Sequence, residues 1–412
     1  NNAFGTNAGS NITTGSQNIM MGVNALLNCT TGNNNVAIGH QALEDNTTNG
    51  ANTAVGYQAL LENTGSNNTG IGYQALKNNT SGYYNVALGL QSLVQNTTGV
   101  QNTAVGYQAL DANTTAHNNT AVGAYSLGAN TTGTENTAVG NEALDTNVTG
   151  STNTACGFRA LEANTDSGNS AFGAYALYVN TTGTDNCAFG KSALGANTTG
   201  NDNVAIGREA ARQNTTGSNN VAIGHEALEN GTTGDYNVSV GNGSMSSATV
   251  TGDNNCAVGR NSLYSCTGGN HNTAVGGSAA LYGCTTGTYN TAVGVDAGQN
   301  VSSGSNMTCI GYQAGTSGGA GGIFVGESNR VILGNNAVTS LIAQVALTVA
   351  SDERDKTDIT DFTKGLDIIN ALRPVTYKWD NRTRYGTDEE PYGTPDGSKK
   401  SSKLTLDLLH KK

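Results

Sequence analysis

The stretch of this sequence best spelled for bond-making chemistry lies near its end, ASDERDK, where Ser351 stands beside Asp352 and a few residues before Lys356. A serine hydroxyl is a poor nucleophile until a neighbouring base takes its proton, and a lysine can be that base once burial lowers its pKa. The same letters also spell the solvated start of a charged helix, so spacing alone leaves both readings open. Elsewhere the inventory is thin. The seven cysteines form no CxxC pair and no Cys/His spacing suited to zinc, and Cys156 and Cys309 stand where other repeats carry small or apolar residues. Acidic residues such as Glu44, Asp111, Glu135, Asp145 and Asp202 are scattered over variable turn positions. That scatter suits solvated surface better than the paired carboxylates of a glycoside hydrolase. No metal and no cofactor is expected.

The composition is that of no ordinary enzyme: 412 residues hold 57 Gly, three Pro and one Trp, and only 12% are charged. Gly, Asn and Thr on this scale disfavour long helices and make β structure the default. A formal charge of −11 with 19 Lys and Arg in all argues against a nucleic-acid surface. No apolar run is long enough to insert in a membrane as a helix. The chain opens inside a repeat, NNAFGTNAGS, which implies a longer parent chain.

The repeat is NTAVGYQAL at 52–60 and again at 102–110, and its period is 17 with slips of one residue, from Gly5, Gly22 and Gly39 to Gly311. Gly326, in IFVG, reads as a further degenerate copy. A fixed period of this size marks a solenoid whose unit must stack on its neighbours to bury its apolar face. Two columns are expected to form the core: the residue before the Gly (Phe4, Ile38, Val105) and the residue four after it (Leu26, Leu60, Leu110). Val105 and Leu110 would then face inward and Tyr107 outward. An Ala or Ser three after the Gly suggests close backbone approach there, and the Asn four before it, Asn1 through Asn290, reads as a corner ladder. Turn chemistry accounts for the Asn-x-Thr triplets at Asn46, Asn96, Asn130, Asn180, Asn197 and Asn214 as well as glycosylation would. After correction for the extra Ala in GGSAALYGC, Cys266 and Cys284 stack on adjacent rungs about 4.8 Å apart, within disulfide reach, although a free thiol pair fits equally well. With few large apolar side chains per rung, self-association is the economical solution, most simply three parallel chains in a rod of roughly 95 Å.

The NVAIG and NTAVG units resemble the head repeats of trimeric autotransporter adhesins and similar repeats in bacteriophage tail fibres. That resemblance implies a left-handed parallel β-roll in a homotrimer. The fold class expected is therefore all-β, a parallel β-roll or β-helix solenoid of about twenty coils in a homotrimeric rod, with a small α+β segment at the end. The expected divisions are a shaft over 1–315, a Gly-rich joint and β stem over 316–350, and a terminal segment over 351–412. In the last of these an amphipathic pattern at Phe362, Leu366, Ile369 and Leu372 suggests a helix ending before Pro374.

Ser351-Asp352-x-Arg354-x-Lys356, then Gly365-Leu366, Ala371-Leu372-Arg373-Pro374-Val375 and Tyr377-x-Trp379 resemble the self-cleaving S74 intramolecular chaperone of phage tailspikes and endosialidases. The resemblance implies cleavage at Ala350–Ser351, with Ser351 as nucleophile, Lys356 as base and Asp352 assisting. Such a cut happens once per chain and is maturation rather than turnover. The text after Trp379 departs from the family pattern and reads as a shortened chaperone. Together these features imply a host-attachment fibre on a virion tail, extracellular, with itself as partner and a host surface glycan or protein as target. Tyr57, Tyr73, Tyr107, Phe158 and Tyr312 are candidates for the receptor surface. A bacterial surface adhesin is the alternative.

Overall fold

The computed structural model describes residues 1–247, 249–316, 326–342, 373–377 and 405–409. The chain divides into two compact units, Asn1–Ser340 and Leu341–Lys412. Among the described residues every regular element is a strand, and the expected helix before Pro374 lies outside them. In the second unit, β21 (Arg373–Tyr377) pairs antiparallel with β22 (Thr405–Leu409).

The first unit is a parallel β-solenoid with one short strand per coil, from β1 (Asn2–Phe4) to β19 (Met307–Ile310) and β20 (Arg330–Leu333) in one 20-stranded sheet. Equivalent residues of successive coils pair directly, as Thr103, Ala104 and Val105 do with Thr120, Ala121 and Val122. At about 4.8 Å per rung the stack runs about 90 Å. Its last rung is RVIL followed by Gly334, paired to β19. Residues 323–325 of IFVG lie outside the described residues, and the described pairing runs on to Leu333.

Most strands end at their glycine, although β16 (Cys256–Arg260) and β17 (Thr273–Ser278) run through theirs, and two reasons apply. Gly106 has φ near +142°, a region that side chains rarely tolerate. Its Cα also faces the Gly123 carbonyl of the next coil so closely that a Cβ would overlap that oxygen. The chain then bends through two left-handed residues, Gln108 and Leu110 (φ 49° and 52°). Each costs about 1–2 kcal/mol. Hydrogen bonds to both neighbouring coils offset that cost: Gln108 N–H donates to Leu90 O and Leu110 N–H to Ser126 O, both at 3.0 Å.

The core departs from expectation on one of its two columns. Leu110 and its equivalents are fully buried, as is the Ala or Ser before them. The residue before the glycine is not: Phe4 is 76% exposed, Leu88 45% and Ile206 42%, and Val105 is half-buried. The inward residue is the alanine one earlier, Ala104 and its equivalents. Alternation along a strand puts neighbours on opposite faces, and the tight interior takes a small residue there in nearly every coil, with Met20 the large exception. The apolar column assigned to the core therefore lies on the outer face of the sheet, beside Thr103 and its equivalents.

The corner asparagines are buried and bind the next coil twice. Asn119 Oδ1 accepts the backbone N–H of Asn136 at 2.9 Å, and Asn119 Nδ2 donates to Gly133 O at 2.9 Å. The same bond to the following coil's N–H recurs from Asn1 to Asn290, where Met307 N–H takes the last place. A second buried column lies seven residues after the glycine and forms an amide-to-amide ladder. Asn96 Nδ2 donates to Asn79 Oδ1, and Asn113 Nδ2 to Asn96 Oδ1, both at 2.7 Å. These are the asparagines of the Asn-x-Thr triplets, and Asn96, Asn130, Asn180 and Asn197 are 0% exposed, so in the folded chain their amides are closed to glycan attachment. Cys29, Cys266 and Cys284 occupy the same column as free thiols, Cys266 and Cys284 each donating to the carbonyl three residues on at 3.7 Å. Burial pushes the Cys266 thiol up to about 11 and, with Cys266 alongside, Cys284 up to about 12. Both thiols are thus inert filler at neutral pH.

Two glycines test this geometry. Gly106→Ala should destabilise the coil by about 3 kcal/mol or more in denaturant unfolding, because its φ and the Gly123 carbonyl both oppose a Cβ. Gly195→Ala should stay within about 1 kcal/mol of wild type, because φ there is not positive and the nearest atom to a new Cβ, Ser192 O, is 3.2 Å away.

Candidate functional site

Ala350, Ser351, Asp352 and Lys356 lie outside the described residues. The described surface of the solenoid is built from columns that repeat with the coil. The residue after each glycine leaves the bend pointing outward, so Tyr57, Tyr73, Tyr107, Phe158 and Tyr312 are all exposed, Tyr312 most of all at 59%. Stacked coils bring some of these rings together. His40, Tyr57 and Tyr73 form a parallel stack with centroids 5.4 and 5.2 Å apart and planes within 11°. In such a stack both faces of Tyr57 are covered and its edge meets solvent. Tyr107 and Phe158 instead meet Tyr125 and Tyr175 edge-on, at 5.1 and 5.3 Å.

Both partners, and Tyr178 beside them, come from columns to which the sequence reading gave no role. Tyr125 and Tyr175 stand two residues after the glycine, and Tyr178 five after it. Tyr175 and Tyr178 meet edge-on at 5.4 Å, and the Arg159 guanidinium sits over Tyr178 at 5.6 Å and over Phe158 at 5.8 Å. The signal that could have found them is a register of large side chains five after the glycine, interrupted by Gly128 and Gly195.

The acidic residues are less scattered than expected. Asp111 and Asp145 lie in that same column on either side of Gly128, and both turn an Oδ1 into the space the glycine leaves open. Arg159 pairs with Glu142 at 2.6 Å and Glu162 at 2.8 Å. Burial first, then the charges of Glu142, Glu162 and Asp111, raise the Asp145 carboxyl to about 6, against a partial lowering by Arg159. Burial likewise raises Asp111. Among the described residues no group of three or more His, Cys, Asp or Glu is placed to hold a metal ion.

Asp145 therefore holds its proton to higher pH in the folded chain than in the unfolded one. Its folded value lies above its unfolded one, so its favourable contribution is complete below about pH 4 and is lost as pH rises through about 6. Asp145→Asn should raise stability at pH 7.5 by about 1 kcal/mol, reduced for partial exposure. At pH 3.5 the difference should vanish, and thermal midpoints in the two buffers check both signs.

Residues 351–394, the segment holding Ser351, Asp352 and Lys356, match the family model Peptidase_S74, chaperone of endosialidase. No curated protein and no solved structure matches the chain.

Proposed function

We propose that this chain is the shaft of a bacteriophage tail fibre, a structural and host-binding rod on the virion tail that is assembled as a homotrimer with the help of its own C-terminal chaperone. The observation that carries this reading is the match of residues 351–394 to the chaperone of endosialidase family, downstream of a parallel β-solenoid. A chaperone attached to a rod is useful when the rod must find two other copies in register.

The outer face of the solenoid supports self-association. Phe172, Phe189, Ile206, Ile223, Val275 and Val293 belong to one exposed apolar column before the glycines, and Phe172 stacks on Phe189 at 4.5 Å. The apolar column is one side chain wide, about 5 Å, over about 90 Å, or roughly 450 Å². That matches the largest apolar patch of a typical monomer, and such patches often serve as contact surfaces. Because the stripe repeats with the coil, it is complementary in spacing to the same stripe on a second and third copy.

In the proposed maturation step Ser351 Oγ attacks the Ala350 carbonyl carbon while its proton passes to Lys356. Lys356 returns that proton to the peptide nitrogen, which leaves as the Ser351 amine, and water hydrolyses the resulting ester. One cut per chain then frees the chaperone.

The test uses a chain carrying a complete chaperone. Wild type should run as a trimer and yield a fragment starting at Ser351 by mass spectrometry. Ser351→Ala should stay uncut yet trimeric, Val105→Asp should lose the trimer, and Tyr107→Ser should keep it. An uncut wild type, or Val105→Asp assembling as well as Tyr107→Ser, would contradict the reading.

A further inference from the structure

We infer that the notch at Gly195 is a binding site for a neutral pyranose ring of a surface glycan, held between the Tyr178 ring and the Arg212 side chain. The inference deepens the host-attachment reading above and rests on it. Tyr178, Gly195 and Arg212 occupy the same column on three successive coils. Other coils fill that column with large side chains such as Leu61, Lys77 and Val94. Nothing in the backbone calls for glycine at 195, since its φ is not positive and a Cβ would meet no atom closer than 3.2 Å. At Gly128, the other glycine of the column, the Asp111 and Asp145 carboxylates turn into the gap. At Gly195 the atoms nearest a new Cβ are backbone atoms of Ser192 and Tyr175 alone, and the space stays open as a cavity of about 500 Å³.

The dimensions and chemistry of that cavity suit a sugar ring. Tyr178 and Arg212 are two rungs apart, about 9.6 Å, enough for one ring in van der Waals contact with each at about 3.5–4 Å. Arg159, on the coil before, covers one side of the Tyr178 ring, leaving the side toward Gly195 for a ligand. An aromatic face packs against the axial C–H groups of a pyranose as it does against other apolar surface.

The rim offers donors and acceptors together. Arg212 Nε is buried and has no hydrogen-bond partner, while its Nη2 is held by Glu229 at 2.7 Å. The Thr215 hydroxyl donates to Thr232 O at 3.0 Å and so presents its lone pairs. The Gln213 amide and Ser192 hydroxyl, also lining the cavity, can each donate and accept. Sugar hydroxyls both donate and accept, which matches such a mixed rim. Because Glu229 already neutralises Arg212, the site favours a neutral ring over a carboxylated one.

The test is a titration of the full chain, followed by ligand-detected NMR, with the methyl pyranosides of glucose, galactose, mannose and N-acetylglucosamine and with glucuronate and sialic acid as anionic counterparts. At least one neutral pyranoside should saturate at millimolar concentration, and Gly195→Leu should weaken it tenfold or more. Leucine stands in this column at Leu27 and Leu61, so the variant keeps a side chain the coil already accepts. Binding by none of the neutral sugars, binding by the anionic ones alone, or equal binding by Gly195→Leu would each overturn the site. Any of these would leave the assembly and cleavage experiment untouched, so the site and the fibre reading fail separately.

Discussion

The backbone N–H at each corner of this solenoid is satisfied by a side chain of the coil before it, and the rest of the shaft depends on that bond. A buried N–H without a partner costs about as much as a lost hydrogen bond, and here one is presented on almost every coil. Asn102, Asn119 and Asn136 answer it in turn: each side-chain oxygen takes the next coil's N–H while the amide nitrogen donates to a carbonyl of that same coil. Asparagine is the side chain short enough to stay inside the corner and equipped to accept and donate at once. The register of the corner follows, because each asparagine must stay in line with the N–H above it, whether the coil has 17 residues or 16, as between Asn52 and Asn68. Where the period slips by one, as between Asn237 and Asn255, the ladder is kept at 3.0 Å and the extra residue is absorbed elsewhere in the coil.

Hydrogen bonding around the coil leaves little space for apolar volume. One leucine and two small residues per rung fill the interior, so the larger Val, Ile and Phe side chains are displaced to the outer face of the sheet. A shaft of this kind is well tied along its axis and apolar on one flank, and the same constraint that narrows the core supplies the surface through which three copies are proposed to meet. Columns elsewhere on the coil remain free to vary, which is how a notch at Gly195, a ring stack at Tyr57 and an acidic cluster at Asp145 arise on one scaffold.

Much of this was legible in the sequence because a repeat compares itself with itself. The period, the parallel stacking, the buried Leu110 column, the asparagine corner and the neighbouring Cys266 and Cys284 all follow from positions that repeat or break the repeat. The facing of Val105 was not legible. A column that is apolar in nearly every coil reads as core whether it is buried by its own chain or exposed for a partner, and only the strand's alternation against Ala104 decides between them. The Gly195 notch escaped because a site made by stacking takes one residue from each of three coils, and its members are 17 apart in sequence. The last rung at Arg330–Leu333 escaped because it has lost the NTAVG spelling while keeping its pairing.

The most direct measurement is amide hydrogen exchange at Asn136 in wild type and in Asn119→Ala. If the side-chain ladder holds the coils, the Asn136 N–H is among the slowest to exchange in wild type, and removing Asn119 Oδ1 speeds it by a factor of 100 or so, from about 3 kcal/mol of lost protection. Amides several coils away should be little changed. An Asn136 N–H that exchanges equally slowly with and without the Asn119 side chain would contradict the ladder and the corner register it imposes.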